Sequence, residues 1–79
     1  MEIKATIGKT IKALREEMGP EWTQDRTAQE ADISTRYYQK LEHGEKLPSL
    51  TTVFKLAKAF DITPAELIEP SWKKWARKK

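Results

Sequence analysis

Apolar residues along this chain recur at intervals of three and four positions, the spacing that places side chains on one face of a helix. Ile7, Ile11, Leu14 and Met18 form the first such series, which predicts an N-terminal helix. The other side of this helix is left for solvent and carries Lys9, Lys12, Arg15 and Glu16. This helix should end at Gly19-Pro20, because glycine tolerates a positive φ and proline cannot continue a helix. A later series predicts a second strongly apolar helix face: Leu50, Val53, Leu56, Ala57 and Phe60.

Hydroxyl side chains mark the starts of the helices between and around these series. Thr23 is placed to cap a short second helix, and Ser34 to cap a third that runs from Thr35 to about His43. Ser49 stands directly before the second apolar series, so it should cap the fourth helix. The middle of the chain is therefore predicted to consist of short helices joined by tight turns.

A capping box marks the start of a fifth helix. Thr63 stands at the N-cap, Pro64 at the first helical position, where its missing N–H costs nothing, and Glu66 three residues after the cap. The helix should therefore begin at Pro64. Pro70 is expected to interrupt it, and Ser71 to cap a last short helix.

The fold class predicted from these patterns is all-α. No segment alternates apolar and polar residues over the length of a strand, and the chain has neither an internal repeat nor a low-complexity region. At 79 residues it should form one small domain held by packing alone, since it has no cysteine. With His43 as its single histidine, a zinc finger has too few ligands, so no metal and no cofactor are expected.

Other function classes find no support in the residues. The carboxylates considered as catalytic groups are Glu16, Glu17, Glu42 and Glu45. The sequence offers them no nucleophile paired with a base and no Gly-rich phosphate loop, so a non-enzyme is expected. No apolar run approaches the roughly 18 residues of a membrane span, and the N-terminus lacks the apolar core of a signal peptide. A cytoplasmic protein that does not interact with a membrane is the expectation.

The positive charge is concentrated at the C-terminus. The net charge is +3, yet five basic residues follow Glu69 with no acid among them: Lys73, Lys74, Arg77, Lys78 and Lys79. Residues 1–70 carry 10 basic and 12 acidic side chains. The bulk charge therefore says little about what the body of the domain binds.

The second and third helices have the layout of a helix-turn-helix, in which the second helix of the pair can lie in a DNA major groove about 12 Å wide. Ala28 is small enough to let the two helices approach each other, and Asp32 in the turn is one of the few residues that adopt the left-handed conformation. Ile33, Tyr38 and Leu41 should face the core.

This inward assignment determines the outer face of the third helix. Its side chains can donate to base edges or phosphates: Thr35, Arg36, Gln39 and Lys40. Tyr37 should lie at the margin, where its hydroxyl reaches a phosphate. A solvated face is the ordinary role of such residues, and the surrounding sequence pattern is what favours DNA contact.

Several short motifs follow one another along the chain in the order and at the spacing of a known family pattern: Thr23-Gln24, Ala28, Ser34, Tyr37, Leu41-Glu42, Gly44, Pro48-Ser49 and Leu56 to Ala59. With them, the chain resembles the Cro and phage-repressor type of helix-turn-helix family, often called XRE, over roughly residues 7–68. The resemblance implies a compact five-helix, lambda-repressor-like bundle that binds DNA, usually as a symmetric dimer. The chain departs from the family pattern at four positions. Trp22 replaces an aliphatic residue, Thr27 a leucine, Asp32 a glycine and His43 an arginine.

The resemblance also implies which residues touch DNA. Those expected to contact bases are Ser34, Thr35, Arg36, Gln39 and Lys40. Those expected to contact phosphate are Gln24, His43 and Lys46, in addition to Tyr37. Arg36 and Gln39 are the principal candidates for base reading, because arginine donates to guanine and glutamine suits adenine.

The function expected is sequence-specific binding of double-stranded DNA by a small, repressor-like transcriptional regulator that forms a homodimer and needs no small-molecule ligand. The alternative is a protein-interaction module of helix-turn-helix shape, such as an antitoxin or accessory factor. Its support is the excess of acidic residues in the first 70 positions.

The chain is expected to divide into a helix-turn-helix domain, residues 1–70, and a basic C-terminal tail, residues 71–79. Three roles for the tail remain open. Trp72 and Trp75 could dock on the domain's own core, they could form a dimer contact, or the tail could be a basic arm on phosphate.

Overall fold

A computed structural model of the protein describes residues 2–77, which form five α-helices and contain no strand. The helices are, in chain order, α1 Glu2–Glu17, α2 Gln24–Glu30, α3 Thr35–Glu42, α4 Leu50–Phe60 and α5 Pro64–Arg77. The prediction of an all-α, five-helix chain is confirmed. Lys78 and Lys79, the last residues of the predicted tail, lie outside the described residues.

The predicted N-caps close the starts of three helices. Thr23 Oγ1 accepts a hydrogen bond from the backbone N–H of Arg26, and Ser34 Oγ accepts one from that of Tyr37, both at 3.1 Å. Ser49 Oγ accepts from the backbone N–H of Thr52 at the same distance. Each such cap satisfies a backbone donor that the helix itself cannot satisfy and typically stabilises by about 1 kcal/mol.

The start of α5 agrees with the prediction, but its continuation does not. The capping box is formed: the backbone N–H of Thr63 donates to Glu66 Oε1 at 2.8 Å, and that of Glu66 donates to Thr63 Oγ1 at 3.2 Å. The predicted interruption at Pro70 is wrong, because α5 continues to Arg77 and Ser71 lies buried within it instead of capping a new helix. Pro70 removes one backbone hydrogen bond, and the packing of α5 against α1 and α4 offsets that loss.

All five helices contribute to one hydrophobic core. Tyr38 and Leu41 of α3 are fully buried, which confirms the inward face predicted for them, and the half-buried Ile33 packs at the edge. The other buried members are Ile7, Ile11, Ala28, Ala31, Val53, Leu56, Phe60 and Leu67. α1 packs against both α3 and α5, while α2 packs against α3. The core thus supports α3 from behind and leaves its other face to solvent.

The two C-terminal tryptophans do not join this core. Trp72 is 59% exposed and Trp75 49% exposed, and their rings stack on each other with centroids 5.8 Å apart. The suggestion that they dock on the domain's own core is therefore wrong. Leu67 and Ser71, on the other side of α5, are the residues that this helix buries.

One glycine permits the crossing of α1 and α3. A Cβ atom placed on Gly8 would lie 2.6 Å from the backbone oxygen of Glu42 and 2.7 Å from that of Leu41. These contacts are with backbone atoms, which cannot move aside as a flexible side chain could. Gly8 therefore determines how closely α1 approaches the end of α3.

We expect Gly8→Ala to lower the free energy of unfolding by about 1–3 kcal/mol, because α1 and α3 must separate to accept the methyl group. Alanine forms helices better than glycine, so helix propensity alone predicts the opposite sign. Urea denaturation gives the value. Ala13→Gly, at an exposed position of the same helix, is the control and should cost only about 0.5–1 kcal/mol. A more stable Gly8→Ala variant would contradict the close approach.

Candidate nucleic-acid interface

The turn between α2 and α3 has the geometry of a helix-turn-helix. Asp32 adopts the left-handed conformation with φ of 58°, as its position in the turn predicted. Ala28 is fully buried at the contact between the two helices. Thr27, which replaces a usual leucine, is also fully buried, and its hydroxyl donates to the backbone oxygen of Thr23 at 2.8 Å. Thr27 is therefore accommodated in the core with its hydroxyl paired, and Asp32 supplies the left-handed backbone of the turn.

A buried ion pair ties α3 to α1. Arg15 donates to Glu42 twice, from Nε to Oε2 at 2.8 Å and from Nη2 to Oε1 at 3.1 Å. The Glu42 carboxylate also accepts from the hydroxyl of Tyr38 at 2.6 Å and from Nε2 of Gln24 at 2.8 Å. A third Arg15 bond, to the backbone oxygen of Trp22, fixes the segment that leads into α2. One carboxylate therefore holds residues from α1, α2 and α3 together.

The electrostatics of this cluster favour its charged form. Burial by itself would raise the pKa of Glu42, but the hydrogen bonds from Arg15, Tyr38 and Gln24 outweigh burial and hold that pKa below its ordinary value. The hydrogen bond to Glu42 raises the pKa of Arg15. Burial, followed by the bond to Glu42, raises the pKa of Tyr38, so its hydroxyl stays a donor. Glu42 is thus an ionised carboxylate that only accepts hydrogen bonds.

Sequence reasoning missed the role of Glu42. It grouped this residue with other carboxylates that lack a chemical partner. The available signal was the apolar-Glu pair, Leu41-Glu42, at the end of the third helix. A glutamate that follows a core leucine near the end of a helix is close enough to the core to need a cationic partner, although the sequence alone does not identify Arg15 as that partner.

The outward face of α3 carries the side chains predicted to contact bases. Ser34, Arg36 and Gln39 are exposed, whereas Thr35 and Lys40 are half-buried. A shallow depression along one flank of α3 brings together five predicted contact residues: Ser34, Arg36, Tyr37, Lys40 and Lys46. The structure thus gathers residues from α3 and from the following loop on one surface.

A second cleft contains the remaining predicted phosphate contacts and two residues that sequence reasoning missed. Gln24 and His43 line it together with Lys9 and Lys12, which project from α1. The sequence assigned both lysines only to the solvated side of an amphipathic helix. Their position beside α2 and the end of α3 depends on the crossing of α1, which no local pattern specifies.

Several of the predicted residues have side-chain partners within the protein, and Thr35, whose hydroxyl donates to Asp25, is one of them. Gln39 Nε2 donates to Gln24 Oε1 at 3.2 Å, so a base-contact candidate is linked through Gln24 to the buried Glu42. The Tyr37 hydroxyl lies 3.4 Å from Thr52 Oγ1 on α4, and therefore leans toward the body of the domain. Gln24, Gln39 and Tyr37 are accordingly held in place by contacts within the fold.

The surface around α3 is more basic than the rest of the domain. Its cations are Lys9, Lys12, Arg36, Lys40 and Lys46. Three acidic side chains contact its members: Asp25 contacts Thr35, Glu45 lies beside His43, and Glu42, which is paired with Arg15, accepts from Gln24. Such a surface attracts a polyanion even though the first 70 residues carry more acid than base.

Comparison with known proteins identifies the family. A family model described as helix-turn-helix matches residues 11–67. The chain therefore belongs to the helix-turn-helix family of the XRE type, which confirms the resemblance inferred from its motifs. In the described residues 2–77, no helix is long and apolar enough to cross a membrane, and no three acidic or histidine side chains are grouped to hold a metal.

Individual relatives agree with this family. The chain is 30% identical over 71 residues to the HTH-type transcriptional regulator y4dJ of Sinorhizobium fredii, covering 90% of each protein. It is 32% identical over 66 residues to the control protein C.MunI of a Mycoplasma species, covering 84% of this chain and 88% of that one. Its fold is similar to that of the restriction-modification controller protein C.AhdI of Aeromonas hydrophila, with a TM-score of 0.74 and 32% identity over 80% of this chain and 92% of that chain.

The ion pair predicts an acid-dependent stability. Because the pKa of Glu42 is lower in the folded protein than its ordinary value of 4.5, the unfolded chain binds the proton first as the pH falls. The contribution of Glu42 to the free energy of unfolding is complete when the pH is above the ordinary pKa, and it is lost as the pH drops through the lower pKa of the folded protein. Glu42→Gln should lower the free energy of unfolding by about 1.5–3 kcal/mol at pH 7. It should also make that free energy depend less steeply on pH between pH 5 and pH 3.

Urea denaturation across this pH range measures both effects. Glu30→Gln is the matched control, since Glu30 lies 4.0 Å from Arg26 in an exposed pair and should leave the acid-dependent slope close to that of the unaltered protein. If Glu42→Gln kept the full slope, other carboxylates would be responsible for the acid sensitivity.

Proposed function

We propose that this protein is a transcriptional regulator that binds double-stranded DNA sequence-specifically, with α3 lying in the major groove. The observation that carries the proposal is the outward face of α3, where Arg36 and Gln39 are exposed beside two groups of cations: the depression that Arg36 lines with Lys40 and Lys46, and the cleft that contains Lys9 and Lys12. A helix in the major groove has a phosphate backbone on each side, and this arrangement provides cations for both. Its relatives named as transcriptional regulators and control proteins support the same function.

The proposed division of labour follows from the positions of the side chains. Arg36 and Gln39 would read bases, with Ser34, Thr35 and Lys40 in support, while Gln24, Tyr37, His43 and Lys46 would contact phosphate. The bond from Gln39 Nε2 to Gln24 supports the adenine assignment, because it leaves Oε1 and the second N–H of Gln39 for the paired acceptor and donor of an adenine edge. Lys9 and Lys12 join the phosphate contacts.

The alternative of a protein-interaction module is not favoured. Its support was the acidic excess of the first 70 residues, and the fold places much of that acid away from α3. Glu16, Glu17 and Glu21 are exposed outside the two contact depressions, and the charge of Glu42, at the base of the second one, is balanced by that of Arg15. The net charge of the surface around α3 is therefore positive.

A homodimer would place two copies of α3 on a two-fold related DNA site. An apolar stripe on α5 supports a specific surface for this dimer. The stripe consists of four exposed residues that are spaced by three, four and three positions: Ala65, Ile68, Trp72 and Trp75. This spacing is typical of a helix that packs against a second helix. The first three of these residues line one apolar depression, so the stripe is continuous.

The charges along α5 support a second copy as the partner of this stripe. Glu66 and Glu69 lie in the N-terminal half of the helix, and Lys73, Lys74 and Arg77 lie in the C-terminal half. Two α5 helices related by a two-fold axis and packed antiparallel would set the acidic half of each against the basic half of the other. On this proposal, Trp72 and Trp75 of the predicted tail belong to the dimer surface.

Selection of bound duplexes from a random pool at near-physiological salt tests the DNA proposal. We expect an enriched palindrome, and we expect affinity to fall steeply as salt rises. Arg36→Ala should lose about 1–3 kcal/mol of discrimination at one base pair of each half-site. Lys58→Ala, which removes an exposed cation on α4, is the control and should preserve the preferred sequence. Equal weakening of all sequences by Arg36→Ala would remove Arg36 from the base readers.

Sedimentation equilibrium of Trp72→Glu tests the dimer surface. Because a buried tryptophan at the centre of an interface commonly contributes 2 kcal/mol or more, we expect the dimer to dissociate at least about 30-fold more readily. Phe54→Glu is the matched control, since Phe54 is an equally exposed aromatic residue on α4, outside the stripe. Loss of the dimer with Phe54→Glu but not with Trp72→Glu would move the interface to α4.

A further inference from the structure

The first turn of α3 is linked to α2 by a side-chain hydrogen bond that the proposed contacts do not use. The hydroxyl of Thr35 donates to Oδ1 of Asp25. Thr35 is the first residue of α3, and Asp25 is the second residue of α2. In a helix-turn-helix, the N-terminal residues of the second helix are the ones that meet base edges. The bond therefore involves a hydroxyl at a position suited to base contact.

The direction of this bond determines what Thr35 can still do. A hydroxyl has one hydrogen to donate and two lone pairs that accept, so an unengaged threonine can contact either kind of base group. A carboxylate has no hydrogen to give, so between these two side chains the hydroxyl must be the donor. While Asp25 holds that hydrogen, the Thr35 oxygen can only accept.

We propose that Asp25 is a specificity-determining residue, which restricts Thr35 to bases that present an amino group in the major groove. Adenine and cytosine carry such a group there, whereas guanine and thymine present acceptor atoms that would face the Thr35 lone pairs. This inference rests on the proposed DNA binding and adds to it a base class at one position. Asp25 is a positioning residue in this role, since it acts through Thr35.

Asp25 has a second effect that must be separated from the first. Its exposed carboxylate stands on the surface that would approach the phosphates, so it weakens binding to every duplex regardless of sequence. Removal of Asp25 should therefore raise affinity in general. Total affinity cannot test the proposal, but relative affinity among sequences can.

Four proteins make the test: the unaltered chain, Asp25→Ala, Thr35→Val and the double variant. The affinity of each protein is measured for four duplexes that differ only at one base pair. This is the base pair of the selected site at which Thr35→Val changes the sequence preference most. We expect the unaltered protein to bind the two duplexes that carry adenine or cytosine on one and the same strand about threefold to tenfold more tightly than the two that carry guanine or thymine on that strand, the range of one net hydrogen bond. In Asp25→Ala the hydroxyl can also donate, so guanine and thymine should be accepted and the preference should fall below about twofold.

The valine background provides the control for charge. Valine has nearly the shape of threonine but no hydroxyl, so Asp25→Ala in that background should strengthen binding to all four duplexes by the same factor. Thermal unfolding of the variants shows that each is folded at the temperature of the measurement.

The outcomes separate the two claims. If the unaltered protein prefers no sequence, the proposed function fails and this inference falls with it. If it prefers a sequence and Asp25→Ala keeps the same base preference, DNA reading stands and the role of Asp25 is overturned. A preference in the unaltered protein that does not separate the four base pairs by the strand that carries the amino base would overturn it as well.

Discussion

The ion pair between Arg15 and Glu42 is the interaction on which the arrangement of the helices depends. Only 2% of the Glu42 side chain is exposed, and an unpaired charge at such a depth is expensive, so its bonds to three neighbouring side chains have to be made together. These bonds connect α1, α2 and α3 through the carboxylate of Glu42. Gly8 allows α1 to approach closely enough for the pair to form.

A continuous set of hydrogen bonds connects this buried pair with the outward face. Glu42 accepts from Gln24, Gln24 accepts from Gln39, and Gln39 stands among the exposed side chains of α3. Because the ionised carboxylate can only accept, the amide of Gln24 has one orientation, and that orientation in turn sets the amide of Gln39. A polar network of this kind orders surface side chains that would otherwise sample many rotamers, and so reduces the entropy lost on binding.

Charge is organised by the fold in a way that composition does not show. The first 70 residues carry more acid than base, and yet the surface around α3 is lined by Lys9, Lys12, Arg36, Lys40 and Lys46. One carboxylate is neutralised inside the domain, and others are exposed away from this face. Net charge is thus a poor guide to the binding of a small domain, because a ligand responds to the charges that face it.

The sequence by itself determined the elements whose causes are local. Apolar spacing, three hydroxyl caps, the capping box at Thr63 and the turn at Asp32 depend on residues a few positions apart, and all were predictable. The inward face of α3, and hence its exposed face, followed from the same spacing. Only the tertiary structure decided the rest: Arg15 as partner of Glu42, the lysines beside α2, and the passage of α5 through Pro70. These features arise where segments distant in sequence meet, and packing energy there outweighs local preference.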